Sequence, residues 1–148
     1  MSPGCEALLY AASRAEHVGQ VIQPSLLAGR WVVCDRYVDS SVAYQGYGRE
    51  LGYELVMEIN KIATGGLMPD VSFFLNMDPQ KAMGRIENKD KDRLELEEQG
   101  FFDRTAEGYQ VILQNNPERF LIVDADGSIE EVHRRLVAAF EEWEIHGR

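Results

Sequence analysis

Asp35 and Arg36 stand side by side directly after the apolar run Trp31-Val32-Val33-Cys34, and Tyr37, Asp39, Ser40, Ser41, Tyr44 and Gln45 come closely behind. An acid at the carboxyl tip of a buried parallel strand can hold magnesium, directly or through water. The adjacent arginine offers a planar fork for phosphate. A salt-bridged strand end accounts for the pair equally well. Ser40, Ser41, Tyr44 and Gln45 supply hydroxyls and an amide for a polar ligand, or else an N-cap and a solvated helix face. Upstream, Tyr10 and Arg14 are one helical turn apart and share a face. That places a ring for stacking on a base beside a donor for a carbonyl, or simply packs a boundary tyrosine under an arginine stem. The segment GRIENKDKDRLE, Gly84 to Glu95, carries Arg85, Lys89, Lys91 and Arg93. A basic loop of this kind can close over phosphates and neutralise charge during transfer; diluted by Asp90 and Asp92, it also reads as a charged surface loop. His17, His133 and His146 show no ligand spacing, and Cys34 has no activating neighbour in sequence and reads as a small buried apolar residue.

The elements that must position these residues can be read from periodicity. From Glu6 to Ala28, Leu8, Ala11, Ala15, Val18, Ile22 and Leu26 recur at helical steps; Pro24 should kink or restart the helix and Gly29 should end it. Trp31 to Cys34 reads as a short strand covered on both faces. A polar helical segment opens near Asp39 and breaks at Gly46/Gly48. Tyr53 to Thr64 is an amphipathic helix with Leu55, Val56, Ile59 and Ile62 on one side, closed by Gly65-Gly66. Val71 to Leu75 is a second strand, with Asp78-Pro79 after it as N-cap and first helical residue. A helix from about Glu97 to Asn115, a third strand Phe120 to Val123, the turn Asp124-Ala125-Asp126-Gly127-Ser128 and a final amphipathic helix complete the chain. Helices thus alternate with three apolar strands, the signature of an α/β parallel sheet with helices on both faces. In such sheets ligands bind beyond the carboxyl ends of the strands, where Asp35-Arg36, Asn76 to Asp78 and Asp124 to Asp126 fall.

The totals agree with one globular domain. The chain has 148 residues, 45% hydrophobic and 27% charged, with a formal net charge of −10. That charge argues against a nucleic-acid polymer as partner, though not against a small nucleotide. Two cysteines, without disulfide or zinc spacing, fit a reducing cytoplasm. No apolar run approaches the about 18–20 residues of a membrane span, and the N-terminus lacks a signal-peptide pattern.

Taken in order, these segments resemble bacterial thymidylate kinases over almost the whole chain. EALLYAASRAEHV is similar to the family's thymine-contacting helix, and VVCDRYVDSSVAYQGYGR to its Asp-Arg-Tyr signature and the segment after it. MPDVSFFLNMDP, DKDRLELEEQGFFDRTAEGY and FLIVDADGSIEEV resemble the next strand, the lid with its helix, and the last strand with its turn. The resemblance implies a P-loop NTPase-like, three-layer parallel sheet and one thymidylate kinase-like domain over 1–148, with its lid at about 84–95. It implies phosphoryl transfer from ATP to dTMP, giving dTDP, with Mg2+. Tyr10 would stack on thymine and Arg14 would bond a base carbonyl. Asp35 would sit near the metal and Arg36 would hold the acceptor phosphate. Ser40 and Ser41 would line base and sugar, Tyr44 would flank the ribose, and Gln45 would help fix the nucleotide. Arg93 and Arg85 would reach the phosphates from the lid, and Asp126 and Gly127 would pass the adenine. A homodimer is common in the family.

One departure limits the resemblance. The 148 residues contain no G-x-x-x-x-G-K-[ST] and no Arg-Glu-Pro segment. The expectation is an N-terminally shortened chain, lacking its first strands and the loop that cradles the donor phosphates. Full activity is then not expected of these residues alone, and a sheet without its central strand should be destabilised or self-associating. Two rival readings stand beside the kinase: a non-catalytic pyrimidine-nucleotide-binding remnant, and a deoxynucleoside kinase.

Overall fold

Ser2 caps the first helix: its Oγ accepts from the backbone N–H of Cys5 at 3.4 Å, and Pro3 occupies the first turn, where no N–H is needed. In the computed structural model, which describes residues 1–78, 81–82 and 99–146, α1 runs Pro3–His17. It widens into a π-helical segment, Val18–Ile22, and resumes as α2, Gln23–Leu27. Pro24 therefore restarts the helix rather than ending it. Its ring would meet the carbonyl one turn back in a regular α-helix, and the wider π turn, with Gln23 N–H bonded to the Val18 carbonyl, relieves that clash. Gly29, at φ 70°, closes the helix as expected; its N–H bonds Leu26 O at 2.9 Å and that of Arg30 bonds Ser25 O at 3.0 Å.

After a loop come α3, Val38–Ser41, a second π segment, Val42–Gly48, and α4, Tyr53–Thr64, capped by left-handed Gly65. The helix α5, Gln99–Asn115, packs along the Val42–Gly48 segment. These elements form one compact unit, residues 1–68 with 99–115. Its core holds Ala7, Ala11, Val18, Ile22, Val38, Val42, Ala43, Val56, Phe101 and Ile112. The inward face of α4 is Val56, Asn60 and Thr64, while Leu55 and Ile62, expected on the covered side, are exposed.

A second unit comprises residues 69–78, 81–82 and 116–146. Strands β1, Ser72–Asn76, and β2, Phe120–Asp124, pair in parallel with Phe73 opposite Leu121 and Leu75 opposite Val123. The closing helix α6, Ile129–His146, meets that face through Phe140, whose ring lies 6.5 Å from that of Phe73. Two residues beyond β1, the Asp78 carboxylate accepts from Lys81 N–H at 3.3 Å, the bond expected of an N-cap.

The expected strand Trp31–Cys34 does not form. The sheet seen among the described residues has two strands, Ser72–Asn76 and Phe120–Asp124, and does not include 31–34; Val33 is 96% exposed, and Cys34 is half-buried rather than buried. A strand exists only through the hydrogen bonds of a neighbour, so β-rich composition alone cannot make one.

Candidate functional site

The loop leading into α3 places the acid–base pair. Arg36 adopts φ 65°, a left-handed conformation that costs a side-chain-bearing residue about 1–3 kcal/mol and persists only where surrounding contacts enforce it. Those contacts are aromatic. The Arg36 guanidinium lies over the Tyr44 ring, 5.1 Å from its centroid. Tyr44 in turn meets Phe101 edge-on at 5.9 Å and Tyr109 at 6.4 Å. The Tyr109 hydroxyl lies 2.9 Å from Ser40 Oγ, tying α5 to α3.

Two glycines allow this approach. A Cβ on Gly48 would lie 2.6 Å from Phe101 and Thr105 side-chain atoms, and one on Gly108 would lie 2.8 Å from the Tyr47 ring. Burial opposes the Arg36 charge, but the neighbouring Tyr44 and Tyr109 hydroxyls and Asp35 outweigh it and raise its pKa. Burial also pushes the Tyr109 phenol up, with the Ser40 hydrogen bond pulling it partly back.

Beneath the platform sits a buried carboxylate. Glu6, on α1 and 2% exposed, accepts from Gln45 Nε2 at 3.0 Å and from Arg49 Nε and Nη2 at 3.2 and 3.1 Å. Arg49 also covers the Phe101 ring at 4.7 Å. Gln45 is thus turned into the core, and Ser41 is buried as well. The π geometry of Val42–Gly48 lets one short segment send Gln45 inward while Tyr44 stays half-buried under Arg36.

A second polar cluster lies where α1 meets α4. Arg14 Nη1 donates to Asn60 Oδ1 and Nη2 to the Tyr37 carbonyl at 3.2 Å, with the guanidinium 5.6 Å from the Tyr37 ring centroid. Asn60 Nδ2 donates to Val56 O at 2.7 Å. Burial lowers the Arg14 pKa, which Tyr37, Cys34 and Asp39 partly offset. Tyr10 stands exposed one turn before Arg14 on α1.

Asp126 and Gly127 belong to the second unit. There Asp126 N–H bonds the Asp124 carboxylate at 2.9 Å, Lys81 pairs with Asp126, and Arg135 Nη1 donates to the carbonyls of Asp124 and Asp126 at 2.8 and 2.6 Å. Ser128 and Glu131 form a capping box there, Ser128 N–H donating to Glu131 Oε2 at 2.7 Å and Glu131 N–H to Ser128 Oγ at 3.3 Å. Arg85, Arg93 and the rest of the lid at 84–95 lie outside the described residues. Asp35 is exposed, and the described residues hold no group of three or more potential metal ligands.

Glu6, Arg49 and Tyr109 lie within segments that resemble the family, and Asn60 lies on α4, but none of the four has a part in the site expected from the sequence. Glu6, Asn60 and Tyr109 carry a faint signal, a polar group at a helical step from residues that belong to the core, which is where burial forces pairing; Arg49, in the turn after Gly48, carries none.

A sequence model of the family described as thymidylate kinase matches residues 1–136. A thymidylate kinase of Bacillus licheniformis is 43% identical over 145 residues, 96% of this chain and 68% of its own length. One from Synechococcus sp. is 46% identical over 140 residues, 95% of this chain and 67% of its own length. One from Bacillus velezensis is 46% identical over 128 residues, covering 84% of this chain and 60% of the relative. The chain thus spans 60–68% of the length of these three relatives.

Proposed function

Because the chain belongs to the thymidylate kinase family, whose fold is the P-loop NTPase α/β fold, we propose that the first unit is the acceptor half of a dTMP kinase site. The reaction proposed is transfer of the γ-phosphoryl group of ATP to dTMP. An oxygen of the dTMP phosphate forms the new bond to phosphorus, the bond to the β,γ-bridging oxygen breaks, and ADP leaves.

The observation that carries this reading is Arg36. A strained, left-handed arginine held on the Tyr44–Tyr109–Ser40 platform is poised to bind a phosphate dianion bidentately. Tyr10, exposed on the same helical face as Arg14, stacks on the base while Arg14 donates to a base carbonyl. Ser40 lines base and sugar and Tyr44 flanks the ribose, while Ser41, buried on the same turn, backs them from the core side. Gln45 acts from below, its contact with Glu6 holding the segment that carries Tyr44. Asp35 is the Mg2+ ligand: magnesium takes one or two carboxylates and completes its shell with phosphates and water, so a single exposed acid fits. Bound there, the ion would neutralise phosphate charge. Arg85 and Arg93 serve the phosphates from the lid, and Asp126 and Gly127 pass the adenine. Exposed Leu8 and Leu9 on α1, with Leu55 and Ile62 on α4, support association of two copies. No described helix is long and apolar enough to cross a membrane, and the setting proposed is the cytoplasm.

Calorimetric titration with dTMP and with thymidine tests the reading. Arg36→Ala should weaken dTMP by about tenfold or more while leaving thymidine nearly unchanged, as for loss of one charge-assisted phosphate contact. Equal loss for both ligands refutes the phosphate role, and preference for thymidine over dTMP in the unaltered chain selects a deoxynucleoside kinase instead.

A further inference from the structure

We infer that Asn60 is a positioning residue for base discrimination, acting through Arg14. The inference rests on the base-reading role proposed for Arg14. Asn60 is 2% exposed and lies in the middle of α4, flanked one turn either way by buried Val56 and Thr64. A polar side chain in such a place must have both its donor and its acceptor satisfied. Both are: Nδ2 donates back to Val56 O at 2.7 Å, which leaves Oδ1 directed at Arg14 Nη1. Flipping the amide would set its donor against the arginine's donor, so the bond to Val56 O fixes which end Arg14 meets.

The second constraint comes from the loop before α3. Arg14 Nη2 donates to the Tyr37 carbonyl at 3.2 Å, and the Tyr37 ring lies against the guanidinium, 5.6 Å from centroid to Cζ. Two acceptors on two different elements therefore hold the plane of the fork, and its remaining N–H groups, which meet no acceptor among the described residues, are left for a ligand. All of those groups are donors. A base edge presenting a carbonyl, as thymine does at O4, is accepted, and one presenting an amino group, as cytosine does at N4, is refused. A guanidinium free to rotate could avoid the amino group and would discriminate poorly, because rejection depends on the mismatched donor having nowhere to go. Tyr37 is the next residue after Arg36, so the fork that reads the base and the fork proposed for phosphate are set by consecutive residues.

The test compares dTMP with dCMP binding to the full chain, wild type, Asn60→Ala, Arg14→Ala and the double variant, with folding checked by circular dichroism. Wild type should prefer dTMP. Asn60→Ala should lower that preference by about tenfold, the equivalent of one hydrogen bond to a charged group, mainly through weaker dTMP binding. In the Arg14→Ala background it should change the preference no further. A purely structural role would weaken both nucleotides alike, and that result overturns the proposal, as does an additional loss of preference in the double variant. If Asn60→Ala does not fold, Asn60→Asp serves: it keeps an acceptor towards Arg14, so retained preference is expected, and a loss as large as that of Arg14→Ala refutes the role. Wild type without preference, or Arg14→Ala with preference intact, refutes instead the base-reading role of Arg14, and the inference with it. Nitrogen-15 relaxation of the Arg14 guanidinium reads the contact without any nucleotide. Rotation should be slow in wild type and fast in Asn60→Ala; equal rotation shows that Asn60 does not restrain the fork.

Discussion

Replacing Glu6 with alanine removes the carboxylate on which the platform rests. Three donors from Gln45 and Arg49 converge on its two oxygens at 3.0, 3.2 and 3.1 Å. The Glu6 side chain is 2% exposed and that of Arg49 is 16% exposed. Removing one member of a buried ion pair costs about 3–5 kcal/mol, because the other charge is left uncompensated. Arg49 is partly solvated and keeps its place over Phe101 at 4.7 Å, so the lower end, about 3 kcal/mol, is expected. For a chain of this size each kcal/mol shifts the thermal midpoint by about 2–4 °C, which gives a drop of about 6–12 °C. The assay is urea and thermal unfolding tracked by far-ultraviolet circular dichroism, on Glu6→Ala, Arg49→Ala and the double variant. The cycle should show a coupling of about 2 kcal/mol, within the range for contacting residues. Glu6→Gln, which keeps the shape without the charge, should fall between wild type and alanine. A loss below about 1 kcal/mol for Glu6→Ala, the level of a surface pair, or additivity in the double variant, would refute the claim that this buried pair holds α1 against the Tyr44 segment.

Gly48→Ala should destabilise by about 1–3 kcal/mol, since the added Cβ overlaps Phe101 and Thr105; a neutral effect in denaturant unfolding would show that α5 can move away freely. Tyr109, its pKa raised by burial, contributes stability that is complete below the ordinary tyrosine value of about 10 and is lost as pH rises through the higher folded value. Melting between pH 9 and pH 11 should therefore fall less steeply in Tyr109→Phe than in wild type, and parallel curves would contradict the assignment. Ser128→Ala removes the cap on α6 and should cost about 0.5–2 kcal/mol in that unit; unchanged hydrogen exchange in the first turn of α6 would count against it.

Much of the fold is legible in local pattern. Helix α4 runs over Tyr53–Thr64, the range that its periodicity and Gly65-Gly66 indicate, and β2 begins at Phe120 as the apolar run does. Gly29 ends its helix because only a left-handed residue completes that cap. Such features depend on neighbours within a few residues, so a linear reading captures them. The strand expected at Trp31–Cys34 shows the limit, since a strand is a relation between two segments and composition describes only one.

The site divides along the same line. The residue types that could bind a nucleotide, namely Asp35, Arg36, Ser40, Tyr44, Tyr10 and Arg14, are visible in sequence because their chemistry belongs to each side chain. Tertiary structure decided which groups hold them: Tyr109 reaches Ser40, Glu6 takes Gln45 inward, and Asn60 meets Arg14 across 46 positions of chain. Those partners are polar groups that must be satisfied once buried, and burial is a property of the packed fold rather than of any stretch of sequence.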